Sequence, residues 1–151
     1  MNMRYILLFV LTFFFACKNK QTAPASTGAD QQEAPLPEGF AEFYQRFHSD
    51  SVFQVEHIVF PLAGLPDQAD SAMVAGGNFY WQAENWKMQK AIDFELSEYE
   101  RQLLPLNKML VEEHIVHKNG QFGMVRRFAN MGNGWNLIYY AGMNRVAEQA
   151  N

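Results

Sequence analysis

The chain is poor in cysteine, with one residue, Cys17, among 151. No internal disulfide is possible, so stability has to come from an apolar core. Positive charge is scarce too: 12 lysines and arginines stand against 16 acids, for a formal charge of −4. No basic stripe interrupts that balance, which argues against nucleic acid as a partner, because such binding neutralises phosphates. No apolar run reaches the roughly 20 residues a helix needs to cross a bilayer. Nor is there a nucleophile signature, a Gly-rich phosphate loop or a zinc motif, so the sequence supports no catalysis, cofactor or metal. Aromatic side chains are plentiful at 15% of the chain, enough for a sizeable core in one domain.

The amino terminus has a pattern of its own. Arg4 supplies a positive start, and Tyr5 to Phe15 is apolar except for Thr12. Those are the proportions of a signal peptide, with Ala16 as the small residue before a cut. Phe14-Phe15-Ala16-Cys17 resembles the bacterial lipoprotein box, in which the cysteine sulfur takes diacylglycerol and the residue becomes an acylated new N-terminus. Phe14 stands where a leucine is usual. The plainer alternative is a buried cysteine on an N-terminal helix. Each buried lipid methylene contributes about 0.8 kcal/mol, so several chains hold a domain at a membrane without a protein span.

The expected organisation is therefore a signal peptide over 1–16, lipidated Cys17 with a flexible tether over 17–38, and one domain over 39–151. The tether is rich in Gln, Thr, Ala, Pro, Ser and acid, and cannot bury enough apolar surface to order itself. Loss of Arg4 with the signal moves the formal charge from −4 to −5. No acidic run follows Cys17, and by resemblance to related envelopes this favours the outer membrane with the domain facing the periplasm.

In the domain, Phe40, Phe43, Tyr44 and Phe47 recur at i, i+3, i+4 and i+7, one stripe of a helix. Asp50 is placed to cap a second short helix, which should add Val52 and Phe53 to the core. "HIVFPLAGLPD" reads as a strand in which Pro61 marks a bend, an end or an edge. Trp81 and Trp86 fit either a helical turn or a bulged strand. Ser97 and Glu100 have capping-box spacing before an apolar face at Tyr99, Leu103 and Leu104, and Pro105 would stop that helix. Strands at about 108–117, 121–130 and 135–143, joined by Asn119-Gly120 and Gly132-Asn133-Gly134, should form an antiparallel meander. Trp135, Leu137, Tyr139 and Met143 would share one face of the last strand, with Ile138 and Tyr140 on the other. Apolar groups on both faces predict cover on both sides, helices on one and a folded-back segment or a homodimer partner on the other.

Phe40, Phe43, Phe47, Asp50, Phe53-Gln54, Ile58 and Phe60-Pro61-Leu62 together resemble a family of Bacteroidetes lipoproteins of unknown function. That family is similar in fold to nuclear-transport-factor-2-like domains. Trp81, Trp86 and the run from Phe128 to Leu137 fit as well. The resemblance implies an α+β cone, a curved antiparallel sheet with N-terminal helices packed on its concave face. It assigns no reaction, and it implies that function lies in the pocket between sheet and helices.

Chemical candidates are few. His114 and His117 would share a metal on a helix, but in a strand an offset of three sends them to opposite faces. Adjacent Glu112 and Glu113 also split, and an inward carboxylate in apolar surroundings could serve as a base. Asp93 and Glu95 are looser candidates of the same kind. Arg126 and Arg127 split likewise: one could bind a ligand carboxylate through its fork, or pair with Glu112 or Glu113 on the neighbouring strand. Trp81, Trp86, Trp135, Tyr139 and Tyr140 could line a pocket with them for a sugar, lipid or aromatic ligand, or simply be core. The leading expectation is a non-catalytic binding module for a small apolar or amphipathic ligand or a protein partner. An isomerase or dehydratase with Glu112 or Glu113 as base and Tyr139 as proton donor, and a structural assembly subunit, are the alternatives.

Overall fold

The computed structural model describes residues 35–146. Helix α1 (Phe40–Ser49) forms on the predicted aromatic stripe, and it buries Phe40, Phe43 and Phe47. Asp50 ends it and opens α2 (Ser51–Glu56), its carboxylate accepting from the backbone N–H groups of Val52 and Phe53 at 3.0 Å each. Those donors have no intrahelical partner, so the cap has real weight. Asp50→Ala is expected to cost about 1 kcal/mol in a urea denaturation series, and an unchanged midpoint would mean that the cap is dispensable. Val52 stays exposed, contrary to expectation. Gln54 is the residue of α2 that is buried, and Phe53 lies partly buried against the core.

Strands β1 (Ile58–Leu65), β2 (Phe79–Trp81), β3 (Tyr99–Asn107), β4 (Leu110–His117), β5 (Phe122–Asn130) and β6 (Trp135–Arg145) form one sheet in the order β2-β1-β6-β5-β4-β3. A short helix α3 (Ser71–Gly76) and a single 3-10 turn (Ala83–Asn85) lie between β1 and β3. The fold is α+β, and the meander β4–β5–β6 forms as predicted. The sheet is not wholly antiparallel, however, because β1 runs parallel to β6. Pro61 sits within β1 between two partner strands, in a stretch where the β1–β6 register shifts, so its missing donor falls at an irregularity rather than an edge.

Two readings of the sequence fail here. Residues 97–104 belong to no helix, and Tyr99–Asn107 is the edge strand β3, paired antiparallel with β4 from Tyr99↔His117 to Asn107↔Leu110. A capping-box spacing is a local signal, and the long hydrogen-bonded ladder offered by β4 outweighs it. The alternation of β6 also breaks, since the β5–β6 register shifts between Arg127↔Tyr139 and Phe128↔Leu137. One extra residue in β6 moves Tyr140 onto the face of Trp135 and Leu137 and sends Tyr139 to the other.

Helix α1 lies on the face that carries Val111, Phe128, Trp135, Leu137 and Tyr140. Phe40 meets Trp135 at 5.0 Å and Phe128 at 5.6 Å, both edge-on. Phe43 and Phe47 meet Phe128 the same way. Edge-to-face rings of this kind add about 0.5–1.5 kcal/mol per pair to the burial itself. Gly64 is required at its position: a Cβ there would lie 1.8 Å from the Tyr140 carbonyl oxygen, to which the Trp81 indole donates across β1. Among the described residues no helix is long and apolar enough to cross a membrane.

Candidate functional site

Strand alternation sends Glu113 and Arg126 to the helix-covered face, directly opposite one another on β4 and β5. Both are buried, at 0% and 2% exposure, and Arg126 NH1 donates to Glu113 Oε2 at 3.0 Å. Helix α1 presents Tyr44 and His48 one turn apart toward the same place. The Tyr44 hydroxyl donates to Glu113 Oε1. His48 Nδ1 lies 2.9 Å from the Tyr44 carbonyl, and Nε2 lies 3.1 Å from Arg126 NH1. A carbonyl only accepts and a guanidinium only donates, so the imidazole is neutral with its proton on Nδ1. Burial, reinforced by the Arg126 charge, lowers the His48 pKa to about 4. Burial also raises the Tyr44 hydroxyl, and the Glu113 charge adds to that.

The segment 87–98, which carries no helix or strand, contributes Gln89. The Gln54 carboxamide bridges its backbone, accepting from Gln89 N and donating to Gln89 O at 2.8 Å each, while the Trp86 indole donates to the same Gln54 oxygen. The Gln89 side chain then reaches Arg126, with NH2 donating to Oε1 at 3.3 Å and to Met124 Sδ at 3.7 Å. Arg126 Nε is buried and has no partner among the described residues. At the rim Arg101 lies over the rings of Tyr44 and Phe94 at 5.4 and 5.0 Å.

The opposite face gathers the other members of the same sequence pairs. Glu112 accepts from Arg127 and His114, and Arg127 lies over the Tyr139 ring at 4.8 Å. Burial raises the Glu112 pKa, but its bonds to Arg127 and His114 outweigh this and hold it below the usual carboxylate range. Tyr139 therefore cannot donate a proton toward Glu113, from which the sheet separates it. His117 sits beside Tyr99, away from the Glu112–His114 pair, and no cluster of metal-ligating side chains occurs among the described residues.

Of the expected pocket residues, Glu113 and Arg126 come together and Trp86 joins them through Gln54. Trp81 and Tyr140 pack beside that group, whereas Trp135 is core against Phe40. Glu112 and Tyr139 belong to the other face. Cys17 lies outside the described residues. Tyr44 and Gln54 were read only as part of the helical stripe and of the family resemblance, and His48, Gln89 and Arg101 were not singled out. The i, i+4 pair Tyr44 and His48 on the α1 stripe was a usable signal, while Gln89 had none, being set by a loop.

A separate cleft of about 920 Å³ opens at the α3 end of the sheet. Its apolar wall is Val74, Ala75, Phe122 and Met143, with the Arg145 guanidinium 5.7 Å from the Phe122 ring. Asp67 and Asn144 form a fixed floor. Asp67 accepts from Met143 N at 2.6 Å, and Asn144 accepts from Ala69 N and donates to the Pro66 carbonyl.

No family model matches the chain, and no curated protein matches it. Among solved structures it is similar to a nuclear-transport-factor-2-like protein from Bacteroides fragilis, at 16% identity and a TM-score of 0.47, over 72% of this chain. The chain spans 48% of the length of that protein.

Proposed function

We propose that this chain is a non-catalytic binding module of the cell envelope, held by lipid on Cys17 at the outer membrane and facing the periplasm, that takes a small amphipathic ligand. The observation that carries the reading is the cleft, where an apolar wall stands beside the Arg145 cation over a rigid polar floor. A few fixed polar groups in an otherwise apolar concavity are what such ligands require. Catalysis is disfavoured by how the buried groups are used. Both oxygens of Glu113 are occupied by Arg126 and Tyr44, and both ring nitrogens of His48 are engaged. Neither is a free base facing a substrate.

Native mass spectrometry on the full chain, purified gently from its own envelope, tests the binding role. The expected result is a co-purifying mass that disappears on denaturation and is missing from Val74→Arg, which puts a charge into the apolar wall. A bare monomer would overturn the reading, and a bare stable dimer would replace it with a sheet-packed homodimer. The anchor has its own test: Cys17→Ser is expected to abolish palmitate incorporation and release the domain from membranes. Retention of both properties would remove the anchor.

A further inference from the structure

The guanidinium of Arg126 has five donors, and they are unequally used. Both NH1 hydrogens are taken, by Glu113 Oε2 at 3.0 Å and His48 Nε2 at 3.1 Å. NH2 has only the long contact to Gln89 Oε1 at 3.3 Å and a sulfur at 3.7 Å, and Nε has nothing although it is buried. Nε and NH2 share one edge of the fork, the edge that matches the two oxygens of a planar carboxylate. The better-satisfied NH1 is held by groups on β4 and α1. The poorly satisfied edge faces a carboxamide from a loop.

We infer that the Nε–NH2 edge of Arg126 is a carboxylate-binding position, covered in this structure by the Gln89 side chain, and that its ligand is a small monocarboxylate with an apolar body. Glu113 already offsets Arg126, and the exposed Arg101, lying over the Tyr44 ring at the rim, adds a positive charge that attracts an anion to this end of the site. The surroundings supply the apolar contact. Tyr140 lies opposite Arg126 on β6, and its ring meets Trp81 at 5.3 Å and Trp86 at 5.4 Å.

The Gln89 backbone stays pinned on both sides by Gln54, so its side chain can rotate away without the loop moving, and the flexible Met124 side chain, whose sulfur also touches NH2, has to shift with it. The Gln89 amide nitrogen donates to the Lys87 carbonyl at 3.2 Å within the same irregular segment, a weak restraint. A neutral carboxamide at 3.3 Å is a poor competitor for a guanidinium edge that a carboxylate would engage with two charge-assisted bonds. This position is independent of the cleft beside α3.

The test titrates the full chain with benzoate, hexanoate and inorganic phosphate while following tryptophan fluorescence, to which Trp86 and Trp81 report. A saturable change is expected with benzoate or hexanoate, and a clearly weaker one with inorganic phosphate, which can also engage the fork with two oxygens but has no apolar body to set against Tyr140, Trp81 and Trp86. Gln89→Ala should tighten carboxylate binding by about two- to tenfold, because the competing acceptor is gone. Arg126→Lys keeps the charge opposite Glu113 but loses the fork, and should abolish binding with the circular dichroism of the fold retained. Equal binding by wild type and Gln89→Ala, phosphate binding as tight as carboxylate, or undiminished carboxylate binding by a folded Arg126→Lys would each overturn the inference. So would the absence of saturable binding to Gln89→Ala at about 10 mM probe, the weak end of small-ligand affinity. If Arg126→Lys does not fold, the Gln89→Ala ratio and the phosphate comparison decide.

Discussion

Arg126→Met is expected to lower the unfolding free energy by about 3–5 kcal/mol, because it leaves Glu113 charged and unpaired at 0% exposure. Domains of this kind have only about 5–15 kcal/mol in total, so the variant should lie close to its unfolding threshold. The cause is asymmetric. Coulombic attraction between buried charges roughly repays their desolvation when both are present, but removal of one strands the other. A second variant isolates that point. Glu113→Leu combined with Arg126→Met removes both charges and should recover most of the loss. Recovery stays incomplete because the Tyr44 hydroxyl, which donates to Glu113, loses its acceptor, at about 1 kcal/mol. Chemical denaturation of the two variants and the wild type measures this directly. A single variant costing under about 1 kcal/mol would show that Glu113 is relieved by water or a proton and that the ion pair is not a sealed contact.

Acid is expected to destabilise the protein between about pH 6.5 and pH 4, through His48. Burial, with Arg126 beside it, lowers the folded-state pKa to about 4, below the ordinary histidine value of about 6.5 in the unfolded chain. Between those two values the unfolded state binds the proton and the folded state does not. Stability therefore rises with pH across the window, is fully present above it, and is lost as pH falls through it. A full separation of the two values corresponds to roughly 3 kcal/mol. His48→Gln, which can still present an oxygen to Arg126, should flatten the dependence in that window while leaving the carboxylate-driven loss at lower pH. An unchanged slope in the variant would mean that other groups carry the acid sensitivity.

Much of the framework was legible because it is periodic. The α1 stripe puts Phe40, Phe43 and Phe47 on one face at 3.6 residues per turn, and all three are buried. The meander was equally readable, since Gly120 in its first turn has φ +72°, a conformation that glycine adopts without steric cost. The opposite facing of Glu112 and Glu113, and of Arg126 and Arg127, followed from the two-residue period of a strand. So did the pairing Glu113–Arg126, once β4 and β5 were taken as neighbours.

What failed was whatever depended on a partner distant in sequence. Local spacing at Ser97 and Glu100 proposed a helix, but β3 gains a ladder on β4 that is continuous from Tyr99 to Pro105. Tyr139 was assigned to the inner face by counting in twos, and an irregularity beside Phe128 reversed the count. The parallel union of β1 with β6, between residues about 80 apart, leaves no local trace at all.

By itself, then, the sequence determined the composition limits, the aromatic helix and the hairpin strands, because each follows from rules acting over a few residues. Only the tertiary structure decided which charges are sealed, which histidine is neutral, which edge of Arg126 is left wanting and where a cleft opens. Those properties depend on desolvation, and desolvation is set by elements far apart in the chain. Tyr44 and His48 come from α1, Glu113 and Arg126 from the sheet, and Gln89 from a loop held by Gln54.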